Sequence, residues 1–222
     1  MLSLDRVQVS IEGIRVLRNV SCDIVERKTT VLIGRNGAGK TTTLRAIMGL
    51  LDLDSGAIKL DVDDLGQFPA HYRARAGIGY APEDRRLVAE LSVEDNITLP
   101  GLALKLSKSE IKRRLDEVYT LLPQLHVMRE RPGGGVSGGQ GKMVALGRAL
   151  LVARKLLLLD EPFQGLAPAL ALDYARTLGE LRKHRPELAL LITESSPALL
   201  DKIADRTLQI ELGEIVTKSA QA

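Results

Sequence analysis

Apolar and polar residues alternate over 2–11 ("LSLDRVQVSI"), as in a strand buried on one face, and the alternation resumes over 16–25. "TTVLI" (29–33) is β-branched and apolar and stops at Gly34. Beyond a glycine-rich stretch, Leu44, Ile47, Met48 and Leu51 recur at helical spacing, which predicts strand, glycine loop and helix in that order. "DLDSGAIKLDVDDL" reads as a turn and then a short strand. From 92 to 153 the pattern becomes helical. Ser107 and Glu110 have the spacing of a capping box, followed by a stripe of Ile111, Leu115, Val118 and Leu122. "RPGGGVSGGQ" breaks that run before a second helix carrying Met143, Val144, Leu146 and Leu150. "KLLLLD" is then a fully apolar strand of the kind buried in a parallel sheet, and "LALLIT" (188–193) and a β-rich tail close the pattern. Strands, a helical insert near 86–152 and strands again suit one α/β domain over 1–222.

Composition narrows the class only mildly. A net charge of +3 spread along 222 residues predicts no nucleic-acid partner. Cys22 is the only cysteine, so no intrachain disulfide forms and a reducing compartment is expected. His71, His126 and His184 stand far apart, without metal-ligand spacing. The richest apolar run, "LLVARKLLLL", is broken by Arg154 and Lys155, so no spanning helix is predicted. "LSLDRVQVSI" after Met1 has no charged start followed by an apolar run, so no signal peptide is predicted.

The candidate chemistry starts at "GRNGAGKT", which satisfies G-x-x-x-x-G-K-[ST]. Gly34, Gly37 and Gly39 let backbone N–H groups turn inward around phosphate, with Arg35, Asn36, Ala38 and Thr42 completing the loop. Lys40 neutralises the outer phosphates, and the Thr41 hydroxyl suits Mg²⁺. Asp160 ends a buried strand and is the matching metal carboxylate; Glu161 follows as candidate general base.

Together "GRNGAGKTT", "VSGGQ" (136–140) and "LLLLDEP" resemble the phosphate loop, signature and second nucleotide motif of ATP-binding-cassette ATPases. That resemblance runs over essentially the entire chain. It implies a P-loop NTPase core with a parallel sheet, an N-terminal antiparallel β subdomain and an inserted α-helical signature subdomain. It also implies ATP and Mg²⁺ as cofactors and Lys40 and Glu161 as catalytic groups. Each ATP would lie between the Lys40 loop of one subunit and Ser137, Gly138, Gly139 and Gln140 of its mate. Two transmembrane permeases would dock near the helical insert, at the cytoplasmic face of the membrane.

"GIGYAPEDRRLVAELSVEDNI" and "DEPFQGLAP" are similar to stretches of importer cassettes for branched-chain amino acids and for urea or short amides. In that branch Glu83 takes the place of the glutamine that touches Mg²⁺, and a periplasmic binding protein delivers the substrate. Three positions depart from the superfamily. Ser10 and Ile11 replace an adenine-stacking aromatic, Ser195 replaces the switch histidine, and Val136 replaces a leucine. The second departure implies a weakened site of its own and a partner cassette of a different kind, a homodimer being the alternative. Two other readings remain: a nucleotide-binding regulatory cassette with little hydrolysis, and a soluble cassette mechanoenzyme acting on nucleic acid or the ribosome.

Overall fold

A computed structural model describes residues 1–216 of the chain. The strands β1 (Leu2–Ile11), β2 (Ile14–Ile24) and β3 (Thr29–Ile33), helix α1 (Lys40–Ile47), and strands β4 (Ser55–Leu60) and β5 (Asp63–Asp64) come first. Then follow α2 (Tyr72–Arg75), β6 (Ile78–Ala81), α3 (Val93–Ala103), α4 (Lys108–Leu121), α5 (Pro123–Val127) and α6 (Gly138–Val152). β7 (Leu156–Asp160), α7 (Pro168–His184), β8 (Ala189–Glu194), β9 (Arg206–Glu211) and β10 (Glu214–Val216) end the described chain. These elements form two compact units, Met1–Arg73 with the stretch from Ala189 on, and Ala74–Leu188.

The first unit holds an antiparallel sheet in the order β2-β1-β4-β5. In β1 the buried positions change phase, from Leu2 and Leu4 to Val7 and Val9. A register shift between Leu4 and Val7 absorbs this, with Arg6 at φ 48°. One extra residue at that bulge keeps both apolar pairs on the same face. The same unit carries β10-β9-β3-β8, where β3 runs parallel to both β8 and β9. α1 ends at Ile47 although the apolar stripe continues to Leu51. Gly49 at φ 66° takes the left-handed conformation that terminates helices.

In the second unit β6 and β7 pair in parallel, and α6 packs on β6 so closely that a Cβ at Gly79 would meet the Ala149 carbonyl oxygen at 2.2 Å. The stripe Ile111, Leu115, Val118 and Leu122 is buried. Burying four such side chains stabilises the unit by about 1.5–3 kcal/mol each. Ser107 accepts from the Glu110 amide at 3.2 Å, but the reciprocal half of the expected capping box does not form. Arg113 and Arg114 draw the Glu110 carboxylate away from the helix start. The complete capping box stands at the start of α6 instead, between Ser137 and Gln140. Among the described residues no helix is long and apolar enough to cross a membrane.

Candidate nucleotide site

In the first unit the phosphate-loop sequence links β3 to α1. Gly34 donates its amide to the Glu194 carbonyl at the end of β8 (3.2 Å), which fixes the point where the chain leaves the sheet. A side chain at Gly34 would meet the Ile210 carbonyl oxygen at 2.5 Å, and one at Gly39 would meet Leu17 at 2.8 Å. Both glycines are therefore demanded by close neighbours, and Gly39 also by its φ of 111°. Arg35, Asn36 and Gly37 are exposed, whereas Ala38, Gly39 and Lys40 are buried. α1 starts at Lys40 without a side-chain cap, so its first amides present the positive end that suits phosphate.

Lys40 is 3% exposed, and its Nζ donates to the carbonyls of Gly34 (2.7 Å) and Arg35 (3.1 Å) and to Ser195 Oγ (3.3 Å). Ser195 donates in turn to Asn36 Oδ1 at 3.1 Å. Lys40, Asn36 and Ser195, the residue expected at the switch position, are thus one hydrogen-bonded group. Thr41 and Thr42 are half-buried on the first turn of α1, where Thr43 caps inward onto the Gly39 carbonyl at 2.9 Å. Ile11, where the resemblance implies an adenine-stacking side chain, is half-buried and pairs across the hairpin with the exposed Ile14.

The second unit brings together the acidic candidates and the signature. β7 buries Leu156 to Leu159 completely and ends on Asp160, 2% exposed. A buried carboxylate must be hydrogen-bonded, and Tyr80 on β6 donates its hydroxyl to Asp160 Oδ2 at 3.2 Å. Burial, and then the charge of Asp160, raise the Tyr80 phenol well above its ordinary range, so it remains a donor at all physiological pH. Glu161 is 6% exposed and sits at φ 42°. That conformation is costly for a non-glycine residue and persists only where the surroundings hold it. One such hold is Lys142 on α6, whose Nζ donates to the Glu161 carbonyl at 2.5 Å.

Glu83, exposed just beyond β6, has its carboxyl raised by partial burial and then by the charges of Glu161 and Asp160. It lines a cavity of about 290 Å³ with Arg85, Gly138, Lys142, Gln164 and Leu166. At the start of α6, Ser137 Oγ accepts from the Gln140 amide (3.2 Å), and Gln140 Oε1 accepts from the Ser137 amide (2.9 Å). Ser137 and Gly138 are exposed, whereas Gly139 is packed so tightly that a Cβ would meet Leu170 at 2.0 Å. Among the described residues no three His, Cys, Asp or Glu side chains converge as a metal site by themselves. In the second unit the carboxylates Asp160 and Glu83 are of the donor class that suits Mg²⁺, which takes one or two carboxylates and completes its shell with phosphate and water; Thr41, in the first unit, carries a hydroxyl oxygen. A cation there would offset the part of the Glu83 shift that comes, after burial, from the charges of Glu161 and Asp160.

Sequence patterns singled out neither Tyr80 nor Lys142. Both lie within or next to motif-bearing elements, but their roles depend on which strand and helix stand beside β7.

The family model described as "ABC transporter" matches residues 17–164. Over 216 residues the chain is 36% identical to BraG of Pseudomonas aeruginosa, a high-affinity branched-chain amino acid transport ATP-binding protein, spanning 97% of this chain and 91% of the relative. Over 207 residues it is 34% identical to LptB of Escherichia coli, the ATP-binding protein of a lipopolysaccharide export system, spanning 92% and 84%. A solved ATP-binding subunit of an ABC transporter superposes with a TM-score of 0.83 at 27% identity, over 98% of this chain and 88% of that one.

Proposed function

Because the chain belongs to the ABC transporter family of ATP-binding cassettes, we propose that it is the ATPase subunit of an importer for branched-chain-type amino acids or small amides. Cassettes of this family bind nucleotide, dimerise and pair with transmembrane permeases. The observation that carries the import reading is the 36% identity to BraG over 97% of the chain. We place the chain at the cytoplasmic face of the membrane, carried there by two permeases and served by a substrate-binding protein.

The roles follow from what each group can do. Lys40 and the loop amides bind and orient the phosphates, and their fixed donors stabilise charge that builds on the transferred phosphoryl group. Glu161 takes a proton from attacking water, and the Lys142 contact to its carbonyl keeps the carboxylate aimed. Thr41, Asp160 and Glu83 are the residues that would hold Mg²⁺, and the metal would supply charge neutralisation at the phosphates. Ser137, already set by its capping box, offers its hydroxyl and the following amides to the ATP of a partner cassette. Ser195 hydrogen-bonds within the loop but has no charge to offer the departing phosphate. Hydrolysis on this chain's own loop is accordingly slower than in the partner's, which makes a heterodimer the working form.

Cells carrying the chain with its partner cassette, permeases and substrate-binding protein should take up labelled branched-chain amino acid, and Lys40→Ala should abolish that uptake. The 34% identity to LptB supports export of a lipid-linked cargo as the second reading. Unchanged uptake in the variant, together with a defect in envelope assembly, would replace import with export.

A further inference from the structure

A cavity of about 370 Å³ in the second unit has an apolar floor of Leu104, Leu106 and Val152, and all of its charged lining side chains are cations: Arg75, Arg114, Arg154 and Lys155. None of them belongs to the phosphate loop, the signature or the β7 carboxylates. Arg154 is the unusual member. Its Nη2 is buried without a hydrogen-bond partner, and its nearest carboxylates, Glu117 at 3.5 Å and Glu110 at 3.7 Å, lie beyond hydrogen-bonding distance.

The acids nearby are already shared. Glu110 also receives Arg113 and Arg114 at 2.8 and 2.6 Å. Glu117 also pairs with Arg113 and, at 3.9 Å, with Arg185. Glu110 and Glu117 are thus shared among four guanidiniums, of which only Arg185 has a closer carboxylate of its own, Glu187 at 2.5 Å. Burial, and then the neighbouring charges of Arg114 and Arg185, push the Arg154 guanidinium below its ordinary value. Arg114 is held in place by Glu110 and by the Leu151 carbonyl at 3.2 Å, while Arg75 is exposed without an ion pair or hydrogen bond among the described residues. A guanidinium with a buried, unsatisfied donor among like charges gains most from an oxyanion, which accepts several N–H donors at once.

We propose that this cavity is an anion site for a phosphate-class ligand, either free phosphate or the phosphate of a small ester or lipid headgroup, with Arg154 as its central donor. Arg75 and Lys155 close the site from the solvent side, and the leucine floor takes whatever apolar portion the ester carries. The site stands independently of the transport reading, since it needs no nucleotide at the phosphate loop.

The test uses the full chain carrying Lys40→Ala, so that the phosphate loop contributes least. Inorganic phosphate is titrated calorimetrically, and flotation is measured with phosphatidylglycerol and with phosphatidylcholine vesicles. Saturable phosphate binding, weakened at least about tenfold by Arg154→Gln and by Arg75→Gln, supports a soluble ligand. Flotation only with phosphatidylglycerol vesicles, lost in the same variants, supports a headgroup. No binding of either probe, or binding indifferent to both variants, overturns the site. Arg75 is exposed and unpaired, so its variant keeps the test decisive if Arg154→Gln fails to fold.

Discussion

At Lys40 the ammonium lies inside the loop, donating to Gly34, Arg35 and Ser195. Removing it takes a charged contact from the phosphates, worth about 1.5–3 kcal/mol. Lys40→Ala should therefore weaken ATP binding by about ten- to a hundredfold in a fluorescence titration; undiminished affinity would detach the loop from nucleotide. Glu161→Gln keeps the size of the side chain but cannot take a proton. With a competent partner, ATP and Mg²⁺, it should accumulate dimers in gel filtration while turnover stops, and wild-type turnover would remove Glu161 from the base role. The loop residues were legible in the sequence because a phosphate cradle demands glycine at fixed spacing, and close neighbours at Gly34 and Gly39 supply that demand. Arg154 was not legible in that way. It looked like a mere interruption of an apolar run, and only the packing of α4 and α7 around it gives the position its charge environment.

α6 combines two tasks along one helix. Its N-terminal Ser137 is set by a capping box, and Lys142, just over a turn later, holds the Glu161 carbonyl. A glutamine at 142 is too short to make the same contact, so Lys142→Gln should lower kcat by about tenfold while leaving nucleotide affinity unchanged. Lys142→Arg, which retains reach and charge, should recover part of the loss; equal losses in both variants, or a loss confined to affinity, would exclude positioning. β3 and β7 were readable as apolar runs because buried parallel strands need nothing else. The reading of 2–11 as one alternation misses the phase change at Asp5 and Arg6, because the bulge that resolves it depends on register against β2. A lysine on a helix reads as a solvated side chain, and Lys142 acquires its role only because α6 passes the end of β7. At Ser107 the local capping signal lost to two arginines that compete for Glu110.

On the proposed reading, the chain would contribute to two nucleotide sites of unequal composition: its own loop with Ser195, and its signature facing a partner's loop. Ser137→Arg puts bulk and charge at the capping box, whereas Ser195→Ala removes a hydroxyl from a position already short of a switch histidine. Steady-state ATPase of the reconstituted pair should fall further with Ser137→Arg. Equal losses, or full activity of this chain alone, would contradict the asymmetric arrangement. The phosphate loop itself has a dependence on distant sequence. β3 lies between β8 and β9, and Gly213 closes the arrangement by donating to the Ala38 carbonyl at 3.0 Å while accepting from the Arg18 amide at 3.0 Å. A chain still emerging from the ribosome carries the glycine loop long before the strands that brace it have been made. Pairing between segments so far apart in sequence is slow and comes late. Nucleotide capture should therefore wait until β8 and β9 have been made, and a chain truncated before β8 should carry the motif without the strands that brace it.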